Sequence, residues 1–330
     1  MDAEAARRRR RDAGRKRQAR RRRRLAVGAL ALVIVATVAV TLGAGSSSSP
    51  SPAPASHRHD RGAAVRSARG ADSTASPGAT ASPSSALRGS GGSQPVPILM
   101  YHVIASPPPG APFPGLYVTP AEFAAQMNSL ERAGWRAVTL DQVDAYWHRG
   151  AQLPAGKPLV LTFDNGYQSQ FTQALPVLRG LGWVADENIQ ISGLPPSQGG
   201  LSRAQVRGLI AAGWELDTQG YSHADLIALT PQELHYEVVV ARGVLQRRYG
   251  VPVNWFCYPS GHYDATVVSA VKEAGYAGST TVVPGWAHRR DDSYTLARLR
   301  VLGGTSPAQL LAQIASVRTD PAPPAEYSGA

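Results

Sequence analysis

From Val96 onward, short apolar runs alternate with segments whose apolar positions recur every three to four residues, the patterns of strand and of helix. Strands are expected at Val96 to Val103, Arg136 to Leu140, Pro158 to Phe163, Trp214 to Thr218, Asn254 to Tyr258 and Ala277 to Val283. Helix starts are marked by their caps. Thr119-Pro120-Ala121-Glu122 combines a hydroxyl N-cap, proline in the first turn and a glutamate that closes a capping box; its helix runs to Gly134. Ser202-Arg203-Ala204-Gln205 opens a helix that stops at Gly213, and Thr230-Pro231-Gln232-Glu233 opens one that reaches Tyr249. Gln168 to Leu181 reads as a helix kinked at Pro176, Asp264 caps a helix to Gly275, and Ser306-Pro307 starts the last one. Six or seven β-then-α units with short links predict parallel strands joined by right-handed crossovers. That pattern fits an incomplete or distorted barrel, or an open doubly wound sheet.

The pattern before Val96 is different. Leu25 to Gly43 is nineteen residues without a charge. At helical rise it reaches ~29 Å, close to the thickness of a bilayer's hydrocarbon core. Arginines lie on one side of it only, which predicts a cytoplasmic N-terminus and a single-pass protein of the cell membrane with its C-terminal domain outside. An uncleaved anchor is the favoured reading. The small residues Gly43-Ala44-Gly45 leave cleavage open. Ser46 to Gln94 is rich in Ser, Pro, Ala and Gly and too poor in large apolar residues to build a core, so a disordered spacer is expected. The predicted organisation is a basic tail over 1–24, a transmembrane helix or signal anchor over 25–45, a linker over 46–94, a folded domain over 95–320 and a flexible tail over 321–330.

Charge changes the picture little. The chain carries +11, but residues 1–24 hold thirteen Arg and Lys against three acids, leaving about +1 for the rest. The basic tail suits anionic lipid at the cytoplasmic surface. No nucleic-acid partner is expected. The one cysteine, Cys257, permits no intrachain disulfide, and it reads as a small buried apolar residue rather than a nucleophile. No P-loop and no Gly-x-Gly-x-x-Gly follows any strand, which argues against a nucleotide site.

Candidate chemistry sits where strands end, since in parallel α/β folds the carboxyl ends of the strands build the site. Leu159-Val160-Leu161-Thr162-Phe163 runs into Asp164-Asn165-Gly166-Tyr167. The first strand ends at Tyr101-His102, the strand from Trp214 leads to Gln219-Gly220-Tyr221-Ser222-His223, and the strand from Asn254 leads to Tyr258-Pro259-Ser260-Gly261. Asp164 could instead cap the following helix. His223 could be a structural histidine bonded to Asp217 or Asp225, and those two acids could be replacement metal ligands. Tyr258, Trp255 and Trp286 could stack on sugar rings or belong to the core. His262 and His288 are loop residues without an assigned role.

Four segments, Pro97-Ile98-Leu99-Met100-Tyr101-His102, Thr162-Phe163-Asp164-x-Gly166-Tyr167, Ser222-His223-Ala224-Asp225-Leu226 and Phe256-Cys257-Tyr258-Pro259-x-Gly261, together resemble the polysaccharide deacetylases of the NodB homology type, similar to carbohydrate esterase family 4. The resemblance covers about Val96 to Ala315. It implies an α/β fold, a distorted or incomplete (β/α) barrel of the NodB type, here preceded by a single transmembrane helix. It also implies hydrolysis of acetyl groups on envelope glycans, acetylated polysaccharide or peptidoglycan, with a divalent metal such as zinc. The resemblance makes Asp164 the general base and places His223 at a metal position. It places His102, Tyr258, Pro259, Ser260, Gly261 and Arg298 around the substrate, with the Ser260 N–H contributing to an oxyanion hole. Asn165 stands where the family has its metal-binding aspartate and Gln219 where it has its first histidine. Cys257 replaces an arginine usual in the third motif, and Arg298 lies where a histidine is often found. A zinc site takes three protein ligands, preferring imidazole and anionic donors, so this ligand set is degenerate. Three readings stand: an active deacetylase with an unorthodox metal site, a pseudo-deacetylase that binds glycan or an envelope partner, and an envelope scaffold.

Overall fold

The computed structural model describes residues 91–194, 199–318 and 323–329. Its strands, in chain order, are β1 (Ile98–Tyr101), β2 (Val103–Ile104), β3 (Tyr117–Val118), β4 (Trp135–Val138), β5 (Lys157–Asn165), β6 (Asp186–Ile189), β7 (Glu215–Thr218), β8 (Trp255–Cys257), β9 (Gly278–Thr280) and β10 (Leu299–Arg300). The helices are α1 (Pro120–Arg132), α2 (Leu140–His148), α3 (Leu175–Gly180), α4 (Arg203–Ala211), α5 (Pro231–His235), α6 (Ala241–Tyr249), α7 (Ala265–Glu273) and α8 (Pro307–Ser316). All strands but the β2–β3 pair join one sheet in the order β10-β1-β5-β6-β7-β8-β9, and β4 also pairs β5. Every pairing is parallel, as the βα alternation requires.

β5 is the axis of the sheet because it is long enough to serve three neighbours. Its first half pairs β4, from Trp135↔Lys157 to Val138↔Val160. Its second half pairs β6, from Thr162↔Asp186 to Asn165↔Ile189. β1 lies along Val160 to Phe163. The sheet then curls until its two edges meet. Thr281 N–H donates to Leu296 O at 2.9 Å and Arg298 N–H to Val283 O at 3.0 Å, so the chain leaving β9 is stitched to the chain entering β10. The result is the incomplete barrel, not the open sheet.

The expected caps form. Thr119, Ser202, Thr230 and Ser306 each close a capping box with the residue three positions on, and Asp264 accepts from the N–H groups of Thr266 and Val267. Several expectations need correction. The strand expected over Arg136 to Leu140 ends at Val138, because Thr139 and Gln142 form a further capping box that starts α2 at Leu140. The helix expected from Gln168 to Leu181 forms as one run to Gly180, with a π-helical turn, Gln170–Ala174, just before Pro176, so the irregularity expected at the proline is present. The helix expected from Thr230 to Tyr249 does run unbroken to Tyr249, but it contains a π-helical turn, Tyr236–Val240. β6 was not expected at all, because Asp186, Glu187 and Asn188 hide its period. The end of the chain is not free either: Tyr327 pairs antiparallel with Tyr263, and the Tyr263 hydroxyl donates to Pro324 O at 2.6 Å. The expected anchor over 25–45 lies outside the described residues. Among those described, no helix is long and apolar enough to cross a membrane.

The core behind β5 is aromatic. The Phe163 ring lies 5.0 Å from Trp214, 5.7 Å from Tyr101 and 5.9 Å from Phe123, centroid to centroid. This packing stiffens β5 one residue before Asp164. Phe163→Ala is expected to lower stability by about 3–5 kcal/mol, read from urea titration, and Phe163→Leu by clearly less.

Candidate active site

The alternation of β5 puts Phe163 into the aromatic core and Asp164 on the opposite face, inside the curl. Asp164 is 1% exposed, and an unpaired charge there would be very costly. Arg298, equally enclosed, supplies the partner: its two terminal nitrogens donate to the two carboxylate oxygens at 2.8 and 2.9 Å. The rest of the guanidinium is also used. It donates to Thr162 Oγ1, to Thr281 O and towards Cys257 Sγ. Asn188 Nδ2 donates to Asp164 Oδ1 at 2.8 Å, and the Cys257 thiol approaches Oδ2 at 3.6 Å. Burial by itself would raise the Asp164 carboxyl; Arg298, His102 and the Asn188 amide outweigh it and hold the group down at about 2. The Cys257 thiol is pushed up to about 12 by burial, which leaves it inert, as a small apolar residue would be.

His102 ends the β1 turn with Nε2 3.9 Å from Asp164 Oδ2. Burial drives its imidazole down to about 4; Asp164 opposes this, and Arg298, Arg300 and His223 add to it. It is therefore neutral at pH 7. His223 is likewise lowered, chiefly by burial, against the pull of Asp164 and Glu237.

The backbone at the strand ends is strained. Among the described residues, three that are not glycine have positive φ: Asn165 at 78°, His223 at 56° and Ser260 at 56°. Asn165 is the last residue of β5, His223 and Ser260 lie in the loops after β7 and β8, and each such conformation costs free energy that the surroundings must supply. For His223 the support is visible. Glu237, turned inward by its π-helical turn, accepts from the N–H groups of Tyr221 and Ser222 at 2.8 Å and from the Ser222 hydroxyl. Gln219 is enclosed beside them, and its Oε1 is buried without a hydrogen-bond partner.

The donors at the family's metal positions do not fit a divalent transition metal. Two are neutral amides, Asn165 and Gln219. The third is one imidazole, His223. The Asp164 carboxylate is already neutralised by Arg298, whose own charge opposes a dication. Among the described residues the one cluster of three acids able to converge on an ion is Asp186, Glu215 and Asp217. Two of these carboxylates cap a helix. Leu140 N–H donates to Asp186 at 3.0 Å, and Asp141 N–H donates to Glu215 at 3.2 Å, at the start of α2. Burial raises all three carboxyls, so protons can carry the neutralisation. No chemical step is assigned to a metal here.

Asp164, His102, Asn165, Gln219, His223 and the Pro259-Ser260-Gly261 turn are thus all placed at the carboxyl ends of the sheet. Of the residues expected at the substrate, Pro259, Gly261, Arg298 and Tyr258 are enclosed instead. Arg298 spends its donors on the interior, and Tyr258 is 1% exposed with its hydroxyl donating to Tyr294 O. Trp255 and Trp286 belong to the core, their indole N–H groups bonded to Asp141 and Ile314 O. Asp217 accepts from Trp255 N–H and belongs with Asp186 and Glu215 in the acidic cluster, and Asp225 pairs with His262 at 3.1 Å. Asn188 was missed. The available signal was the βα rhythm itself, which leaves a strand owing between α3 and the Ser202 cap.

A family model described as polysaccharide deacetylase matches residues 152–279. YxkH of Bacillus subtilis strain 168, provisionally named a polysaccharide deacetylase, is 28% identical over 223 residues, 68% of this chain and 77% of its own length. The poly-beta-1,6-N-acetyl-D-glucosamine N-deacetylase of Escherichia coli K12 is 38% identical over 60 residues, 18% of this chain and 9% of that one. The solved structure of the Streptococcus pyogenes deacetylase PplD, in complex with acetate, is similar with a TM-score of 0.62 at 26% identity, covering 68% of this chain and 99% of that one.

The enclosed ion pair makes a clear prediction. Asp164→Leu or Arg298→Met alone strands a buried charge and should cost about 3–5 kcal/mol, whereas the double variant should cost less than the sum; urea titration of the four proteins checks this. The pH dependence follows from the same site. His102 has a lowered folded pKa, so its contribution is complete above about 6.5 and is lost as pH falls through about 4. Asp164 contributes fully above about 4 and loses that contribution as pH falls through about 2. His102→Asn should flatten the upper limb and, by removing one of the charges that hold Asp164 down, move the lower limb to higher pH, in melting temperatures recorded from pH 7 to pH 2.

Proposed function

The chain belongs to the polysaccharide deacetylase family, and we propose that it binds acetylated glycan at the strand ends without metal-dependent hydrolysis. The observation that carries this is the neutral donor set, Asn165, Gln219 and His223, beside a carboxylate already closed by Arg298. A general base works best with a pKa near the working pH. A carboxylate held at about 2 is a poor proton acceptor at neutral pH. Amide side chains, in contrast, both donate and accept, as sugar hydroxyls and acetamido groups require. The strained backbone at Asn165, His223 and Ser260 supports a retained binding role, since an idle site would be free to relax.

The E. coli relative's name indicates β-1,6-linked N-acetylglucosamine as a first probe, with peptidoglycan-type glycan as the alternative. We assign residues 25–45 as the membrane anchor, 1–24 as a cytoplasmic tail on anionic lipid and 46–94 as the spacer that carries the domain into the envelope. Extraction of the full chain from membranes should need detergent, and a chain lacking 25–45 should not.

The test of the site uses the full chain, acetylated oligosaccharides, zinc and calorimetry. The oligosaccharide should bind, no acetate should be released, and zinc should not bind. Asn165→Asp combined with Gln219→His should restore one-to-one zinc binding. Acetate release by the natural sequence that a chelator abolishes would establish an active metalloenzyme and overturn this reading.

A further inference from the structure

A groove of about 900 Å³ is lined mainly by the two chain segments that follow β1 and β5. One continues from His102 through Val103 and Ile104 into the loop before β3; the other continues from Asn165 and Gly166 through Tyr167, Gln168 and Ser169. The Ile104 N–H donates to Ser169 Oγ at 3.0 Å and fastens the walls together at the inner end.

Two properties of the groove point to its occupant. First, none of the described residues that line it carries a charge. At this chain's 17% of charged residues, about three of the nineteen lining positions would otherwise be charged. Tyr117, Tyr167, Gln168 and Gln173 supply uncharged donors and acceptors instead. Second, Phe113 stands 69% exposed at the outer end, more than any other large hydrophobic residue among those described. It is held between Pro112 and Pro114 in a segment with five prolines in eight residues, 107–114. Proline limits backbone freedom, so little entropy remains to be lost when a ligand stacks on the ring. Leaving a phenylalanine in water forgoes the gain of burying its ring.

We propose that this groove receives the neighbouring sugars of an uncharged glycan chain, with Phe113 as the stacking platform. The protein then reads a neutral polymer rather than one bearing carboxylates or phosphates. Aromatic rings suit the C–H faces of pyranoses, and a polymer-binding groove with neutral polar groups places no cost on desolvating a charge. The inference rests on the glycan-binding reading above and extends it from one sugar to a chain.

The experiment measures the affinity of the full chain for N-acetylglucosamine, for its β-1,6-linked tetramer and for a tetramer alternating N-acetylglucosamine with glucuronate. The neutral tetramer should bind more tightly than the monosaccharide and than the acidic tetramer. In Phe113→Ala the tetramer-to-monosaccharide ratio should fall about three- to tenfold, and Phe113→Trp should keep it. Circular dichroism confirms folding of both variants. An unchanged ratio in Phe113→Ala, or a preference for the acidic tetramer, overturns the groove assignment while the monosaccharide site stands. Failure of the natural sequence to bind any of the three overturns the glycan-binding reading and the groove with it.

Discussion

The ion pair between Asp164 and Arg298 joins residues 134 positions apart in the chain, and both lie out of reach of solvent. Desolvating two charges costs several kcal/mol each unless geometry and further hydrogen bonds offset it. The structure meets that condition by using both guanidinium ends and both carboxylate oxygens, with Asn188, Thr162 and Thr281 O filling remaining positions. Arg298 lies at the seam where the β9 and β10 ends of the sheet meet, and Asp164 lies at the end of the central strand. The pair therefore ties the closure of the curl to the place where a substrate would sit. A change that loosens the seam also disturbs the site.

That constraint accounts for the chemical character of the strand ends. A carboxylate that must neutralise a buried arginine is not free to serve as a proton acceptor, and its neighbours need not be anionic to hold an ion. Amides and neutral imidazoles are compatible with such a pocket, and so is the uncharged groove lined by the segments that follow β1 and β5. The family's fold supplies the architecture, yet function depends on the particular side chains placed on it. Here those side chains are the basis of the glycan-binding role proposed above.

Much of the fold was legible in local pattern. Capping residues such as Thr119, Ser202, Thr230 and Asp264 act within one helical turn, so their meaning survives without tertiary context. β5 announced itself as an apolar run that ends in Asp164. β6 did not, because Asp186, Glu187 and Asn188 are polar residues in a buried central strand, and periodicity has nothing to detect there. α2 did carry a local signal, the Thr139–Gln142 capping box, but it follows the apolar end of β4 without a break; the carboxylates of Asp186 and Glu215 from two distant strands then add to that start. The candidate site was half legible. Its residues at strand ends could be located by number, but Asn188 could not, and Arg298 and Tyr258 could not be told from substrate-facing residues.

By itself the amino-acid sequence determined the alternation of strands and helices, the caps, the neutral residues Asn165 and Gln219 at positions where the family carries metal ligands, and the family resemblance. All of these rest on residue identity and on neighbours a few positions away. Only the tertiary structure decided that Arg298 neutralises Asp164, that Tyr258 is enclosed, that Asn188 joins the site and that an uncharged groove leads to Phe113. These depend on which groups meet after the sheet curls. Burial and ion pairing are set by contacts between residues far apart in the chain, and a pKa follows from them rather than from the residue alone.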